Sequence, residues 1–173
     1  MDEVKKMVST SELDPGFKSD VLAHPDARGL NACFSCGACS AGCPIHEVFP
    51  DYSPKKLAKM VRLGMKKEVL NSPYIWYCAT CCNCVEHCPQ NVKFFDILNV
   101  LKNMAAKGGY APAAWVEQTK HVMETGIVFA QEDSWVKKRE VLSLRPLKEY
   151  VDKMRKIVEK TGIDKIKPRV NSK

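Results

Sequence analysis

Hydrophobic and polar positions alternate along this chain with a helical period. After Ser53-Pro54, a side-chain cap followed by a first-turn proline, Leu57, Met60, Val61, Gly64, Met65 and Leu70 fall on one face. Lys55, Lys56, Lys59, Arg62, Lys66 and Lys67 occupy much of the rest. Phe94, Ile97, Leu98, Leu101, Met104 and Ala105 mark a second helix, which Gly108-Gly109 ends. Pro112 is expected to open a third helix, with Trp115, Val116, Thr119, Val122 and Met123 turned inward and Gly126 closing it. Residues 127–134 read as a loop. Pro146 then opens a further helix carrying Leu147, Tyr150, Val151, Met154, Ile157 and Val158, closed by Gly162. Pro15 to Ala23 predicts a short helix near the start. No stretch shows the strict alternation of a half-buried strand, so the expected fold class is all-α.

The length of 173 residues suits about one domain with a real core, and 45% hydrophobic with 27% charged residues is ordinary globular composition. No apolar run approaches the roughly 18 residues of a membrane helix. The opening MDEVKKMVST lacks the apolar stretch of a signal peptide, so a cytoplasmic protein is expected. The net charge of +7 is uneven: residues 137–173 hold 13 Lys/Arg against 5 Asp/Glu, whereas residues 1–136 hold 14 against 15. A basic segment of this kind suits nucleic acid, an acidic lipid surface or an acidic protein partner, but a solvated helix face with a frayed tail from Lys165 is the plainer reading.

Nine cysteines in a chain expected to stay in a reducing compartment point to metal ligation rather than disulfides. They fall into two groups. Cys33, Cys36, Cys39 and Cys43, followed by Pro44, recur 45 residues later as Cys78, Cys81, Cys84 and Cys88, followed by Pro89. Two copies are too few for a solenoid and suit a pseudo-twofold domain with two sites. Each copy reads C-x2-C-x2-C-x3-C-P, the run that holds a [4Fe–4S] cluster in bacterial ferredoxins. Thiolates are soft ligands, and a cubane needs one for each of its four irons. Zinc is the alternative, but its usual paired C-x2-C steps need neither the third step nor the closing cysteine-proline. His24, His46, His87 and His121 make no Rieske pattern.

In two-cluster ferredoxins the fourth cysteine of each run serves the other cluster. Carried over, cluster 1 takes Cys33, Cys36, Cys39 and Cys88, and cluster 2 takes Cys78, Cys81, Cys84 and Cys43. Cys82, the ninth, stands where the first copy has Gly37, and reads as a small packed residue rather than a spare ligand. His87 reads as a solvated side chain rather than one bonded to a cluster sulfur. The run Tyr74-Ile75-Trp76-Tyr77 reads as packing that shields a cluster. The expected organisation is an N-terminal helical arm over 1–30, a dicluster core over 31–109 and a C-terminal helical segment with a basic tail over 110–173.

Leu13-Asp14-Pro15-Gly16-Phe17, Cys36-Gly37-Ala38-Cys39, Ile75-Trp76-Tyr77-Cys78-Ala79-Thr80-Cys81 and Pro89-Gln90-Asn91-Val92-Lys93 together resemble the C-type iron–sulfur subunit of heterodisulfide reductases. Glu124-Thr125-Gly126 and the basic stretch from Lys137 to Leu144 look similar too, so the resemblance spans about residues 13–145. The helical insert between the motifs is similar to that of the α-helical ferredoxin group. Cys82 departs from the pattern, where an aromatic or similar residue is expected. The resemblance implies two [4Fe–4S] clusters in an electron-transfer subunit with no substrate site of its own. It would relay electrons from a flavin-containing partner, the A-type subunit, to a catalytic partner, the B-type subunit, which reduces the disulfide of coenzyme M and coenzyme B. A hydrogenase or a formate dehydrogenase module would be the donor. The alternative is a dicluster electron-transfer subunit of another anaerobic oxidoreductase, such as a related disulfide or quinone-linked reductase. The basic C-terminal segment would then dock on an acidic partner rather than on nucleic acid.

Overall fold

The computed structural model describes residues 8–129, 132–145 and 149–166. Among them every regular element is an α-helix or a 3-10 turn, apart from an isolated bridge residue at Ala111, so the fold is all-α as the periodicity predicts. The chain divides into two compact units, Met1–Gly108 and Gly109–Lys173.

In the first unit, α1 (Phe17–Leu22) follows a turn in which the Asp14 side chain accepts from the Gly16 N–H at 2.9 Å. Phe17 and Val21 are fully buried, as is Leu30 in the 3-10 turn Pro25–Ala32, so the segment ahead of Cys33 supplies part of the core. Burying side chains of this size contributes about 1.5–3 kcal/mol each. Two short helices, α2 (Ala38–Ala41) and α3 (Pro44–Val48), precede α4 (Pro54–Arg62). Ser53 caps α4 by accepting from the Lys56 N–H at 3.3 Å, and Pro54 opens its first turn, as expected. Leu57, Ala58 and Val61 are buried, with the basic residues on the other faces.

The expected single helical face over 57–70 breaks in two. Gly64 takes a left-handed φ of 76°, and α5 (Lys66–Leu70) starts afresh. The break has a tertiary cause: the Gly64 backbone lies against the Asp14 turn, accepting from the Asp14 N–H at 2.8 Å. Lys66 completes the junction with an ion pair to Asp14 at 2.9 Å. Beyond the 3-10 turn Pro73–Trp76 come α6 (Asn83–Glu86) and the long α7 (Phe94–Lys107). In α7, Phe94, Ile97, Leu98, Leu101 and Ala105 are buried as the pattern predicts, and Val100 joins them. The helix ends at Gly108. Of the aromatic run before Cys78 only Ile75 is fully buried, and Tyr77 is exposed and packs edge-on against Phe49 at 5.6 Å.

The second unit holds α8 (Ala113–Thr125), α9 (Asp133–Val141) and α10 (Glu149–Thr161), of which α8 and α10 pack together. Gly126 closes α8 in the left-handed conformation, as expected. Val116 is buried, but Trp115, expected on the inner face, is 48% exposed. The loop expected over 127–134 is also shorter, because α9 begins at Asp133. Gly162 follows α10 with φ 65°. The expected opening of that helix at Pro146 and the tail beyond residue 166 lie outside the described residues. No helix among the described residues is long and apolar enough to cross a membrane.

Candidate metal centres

The sequence repeat is also a backbone repeat. In the first copy Ser35 and Gly37 have φ of 62° and 93°; in the second, Thr80 and Cys82 have 57° and 62°. Each left-handed pair flanks the middle cysteine of its run, and a one-turn helix follows, α2 in one copy and α6 in the other. The hydrogen bonds correspond: Ser40 N–H to Gly37 C=O at 2.9 Å matches Val85 N–H to Cys82 C=O at 2.8 Å. Cys43 N–H to Ser40 C=O at 3.1 Å matches Cys88 N–H to Val85 C=O at 3.2 Å. Alternating backbone hand is how a short loop turns successive N–H groups toward an anion, as at many iron–sulfur sites. Here Thr80 N–H donates to the Cys78 sulfur at 3.4 Å and Val92 N–H to the Cys88 sulfur at 3.3 Å.

The two copies meet through α2 and α6, where the Asn83 side-chain amide donates to the Gly42 carbonyl at 3.2 Å. His87 is exposed, as expected, and its ring stands over Gly42. This packing brings cysteines of different runs together. Burial, first, and then the neighbouring Cys33, Cys36 and Cys88 push the Cys39 thiol up, against a hydrogen bond from Ser40 that lowers it. Burial and the neighbouring Cys78 and Cys39 push Cys84 up to about 12, with Cys81 adding to the rise and the Phe95 N–H opposing it. Thiolates crowded in this way repel one another, and bound metal offsets that repulsion.

All nine cysteines are free thiols. Cys36 and Cys81, equivalent in the repeat, are exposed, and the other seven are half-buried. A partly open cavity is lined by Cys33, Cys36, Cys39 and Cys88, with Cys84 on its wall and Phe34, Val92 and Phe94 among its apolar lining. The donor set fits a cluster better than one ion. A tetrahedral zinc site holds its sulfurs roughly 3.8 Å apart, whereas a cubane gives each thiolate its own iron and spreads them. Among the described residues no three ligating side chains converge closely enough for a single metal ion.

Cys82 adopts the conformation of its counterpart Gly37, and its sulfur lies 3.7 Å from the Thr80 carbonyl. Glycine reaches this left-handed region without the roughly 1–2 kcal/mol that a side chain costs there. Cys82→Gly is therefore expected to keep the full iron content and raise the thermal unfolding midpoint of the anaerobic protein; a loss of iron would make Cys82 a ligand after all.

Three residues of the site carry no signal in the cysteine spacing. Tyr52 is buried beside Cys78, Cys43 and Cys84. Lys55 reaches the first loop, with its ammonium 3.6 Å from where a Cβ on Gly37 would stand. Arg62, two turns further along α4, donates to the Cys33 carbonyl at 2.7 Å.

A family profile described as a 4Fe-4S dicluster domain matches residues 29–92. The chain is 30% identical to the second C-type iron-sulfur subunit of the CoB–CoM heterodisulfide reductase of Methanocaldococcus jannaschii, over 96% of this chain and 91% of that protein. It is 28% identical to the C-type subunit of the H(2):CoB-CoM heterodisulfide,ferredoxin reductase of Methanothermobacter thermautotrophicus, over 94% and 90%. Over 61% of its length it is 38% identical to 40% of the C-type subunit of the ferredoxin:CoB-CoM heterodisulfide reductase of Methanosarcina acetivorans.

Proposed function

Because the chain belongs to the family of heterodisulfide reductase C-type subunits and carries two [4Fe–4S] clusters, we propose that it relays electrons from a flavin-containing A-type subunit to a catalytic B-type subunit. The catalytic partner then reduces the coenzyme M–coenzyme B disulfide. The observation that carries the reading is the interleaving of the two cysteine runs. Cys39 of the first run has Cys88 of the second as a neighbour, and Cys84 of the second has Cys39. Cluster 1 is held by Cys33, Cys36, Cys39 and Cys88, and cluster 2 by Cys78, Cys81, Cys84 and Cys43. Each cluster supplies a one-electron carrier, and the shared ligation keeps the two within hopping range.

The protein's own residues hold, shield and present that pair. Phe94, Val92 and Ala58 keep water from one side of the first cavity. Cys36 and Cys81 bring one corner of each cluster to the surface, where a partner's cofactor can approach. The surroundings of the two corners differ. Phe34, 60% exposed, lies beside Cys33, near a row of Lys55, Lys59 and Arg62 at helical spacing, and this face suits an acidic partner. Beside Cys78 the exposed Tyr77 packs on Phe49, with Val48 exposed close by in sequence, and this face suits an apolar contact. Exposed Lys137 and Lys138 of α9 add a second basic surface. Hydrogen, formate and ferredoxin all occur in the names of the relatives, so the donor is set by the rest of each complex.

The test is anaerobic co-purification. About eight irons per chain are expected, together with a flavoprotein and a second cysteine-rich protein. Disulfide reduction driven through the flavin should stop when this chain is left out and return when it is added. Undiminished reduction without it would refute the relay, and recovery of a quinone-linked reductase instead would assign the chain to that complex.

A further inference from the structure

We propose that Lys55 and Arg62, two cations of α4 that bracket the first cysteine loop, raise the redox potential of cluster 1 through their charge and leave cluster 2 largely unaffected. This role rests on the ligand sets proposed above. At the start of the loop, Arg62 Nη1 donates to the Cys33 carbonyl at 2.7 Å and to the Ser35 hydroxyl at 3.5 Å. Farther along, Lys55 lines the cavity that Cys33, Cys36, Cys39 and Cys88 share. Its ammonium stands 3.6 Å, and its Cδ 3.5 Å, from the place of a Cβ on Gly37. The Lys55 backbone is fixed as well: its N–H donates to the Ser40 hydroxyl at 3.0 Å, and Ser40 Oγ lies 2.9 Å from Ser53 Oγ. Ser40 is buried, so this anchor is shielded from water. The four cysteines of the cavity are the whole ligand set assigned to cluster 1.

Lys55 is out of place on its own helix. A helix N-terminus favours acidic side chains, yet the first turn of α4 holds Lys55 and Lys56 and no acid. Among the described residues no carboxylate pairs with Lys55 or Arg62. A local rule broken without a local gain marks a side chain that serves something else. Forty-five residues on, the position of Lys55 is taken by Val100, buried in α7, so the second copy carries no charge there. An added electron makes a cluster and its four thiolates more negative, and a nearby cation stabilises that state; net charge is one of the levers on cluster potential. Ala58, Val92 and Phe94 line the same cavity with apolar surface, which lowers the local dielectric and strengthens the effect of a nearby charge. Two clusters with the same ligand set are in this way given different surroundings, which draws the electron toward cluster 1.

The experiment is a redox titration, followed by electron paramagnetic resonance, of the anaerobic full chain and its Lys55→Gln, Lys55→Glu and Arg62→Gln variants. Both side chains are exposed, so each variant is expected to keep about eight irons. In Lys55→Gln one midpoint should fall while the other moves far less, and Arg62→Gln should lower the same one. Lys55→Glu changes the charge by two and should lower that midpoint about twice as far, which a merely structural role would not do. For Lys55→Glu the reduced-to-oxidised ratio should shift by about tenfold, 59 mV for one electron. Cys43→Ser, which removes a ligand of cluster 2, identifies the cluster: in that background the surviving midpoint should still fall with Lys55→Gln. Unmoved midpoints, two that move equally, equal shifts for Gln and Glu, or a surviving midpoint that stays would each overturn the proposal. Should Lys55→Glu lose a cluster, Lys55→Arg decides the matter beside Lys55→Gln: Arg should hold the midpoint that Gln lowers, and a common fall overturns the proposal. A wild-type chain well short of eight irons would overturn the cluster assignment along with this proposal; eight irons with unmoved midpoints overturns this proposal alone.

Discussion

Cys43→Ser is expected to remove the cluster built on the second cysteine run and leave the one built on its own run. Cys43 closes the first motif in sequence, but its thiol lies with Cys84 and Cys78 around Tyr52. Serine offers a hard oxygen that binds iron far less well than a soft thiolate. Iron should fall from about eight to about four per chain, with a single cluster signal left. Cys88→Ser should remove the other cluster, since Cys88 neighbours Cys39. Relay through either variant should be lost, because one carrier of the pair is gone. Should Cys43→Ser and Cys36→Ser remove the same cluster, each run would close on itself and the crosswise assignment would fall.

The second large effect is expected at Gly64, far from any thiol in sequence terms. Its φ is 76°, and a Cβ there would stand 2.4 Å from the Asp14 carbonyl oxygen and 3.0 Å from its carbon. Both are backbone atoms, so no side-chain rotation relieves the clash. Gly64→Val incurs the left-handed penalty of roughly 1–2 kcal/mol, and branching at Cβ adds to it. It must also push the Asp14 turn away, breaking the Asp14 N–H to Gly64 C=O bond of 2.8 Å. A total of about 3–5 kcal/mol is a large part of the stability of an ordinary domain. The variant should accumulate poorly and unfold at a much lower temperature, measured on anaerobic protein. Val48→Ala, at a side chain 69% exposed, should stay within about 0.5 kcal/mol of wild type. Equal midpoints for the two variants would show that the Asp14–Gly64 junction carries little of the stability.

The same glycine shows why part of the fold could not be read ahead. Gly64 sits in register with Leu57, Met60 and Val61, so nothing in the periodicity marks it as a stop. What stops the helix is a backbone contact with residue 14, fifty positions away. The helix α9 escaped for the opposite reason: in Asp133–Val141 the apolar Trp135, Val136 and Val141 share no face and the side chains are mostly exposed, so no apolar stripe announces it. α2 and α6, four residues each, are too short to show any period. Trp115 fits the inner stripe of α8 by spacing, yet spacing cannot tell which flank of a narrow stripe a neighbour covers. By contrast α7 was legible almost residue for residue, because fourteen residues pack one broad face into the core.

The arrangement of the cysteines alone determined that this protein binds iron and sulfur twice over. Ligand chemistry is local: three thiolates at two-residue steps and a fourth before proline describe a cluster site in any surrounding fold. The long helices were equally determined, because burying one face of a helix imposes its own period. Tertiary structure decided which flanks differ between two otherwise matching halves. A phenol beside Cys78, a row of cations along α4 and a glycine pressed against Asp14 depend on segments that meet only after the chain has folded, and no spacing in one segment encodes what another brings to it.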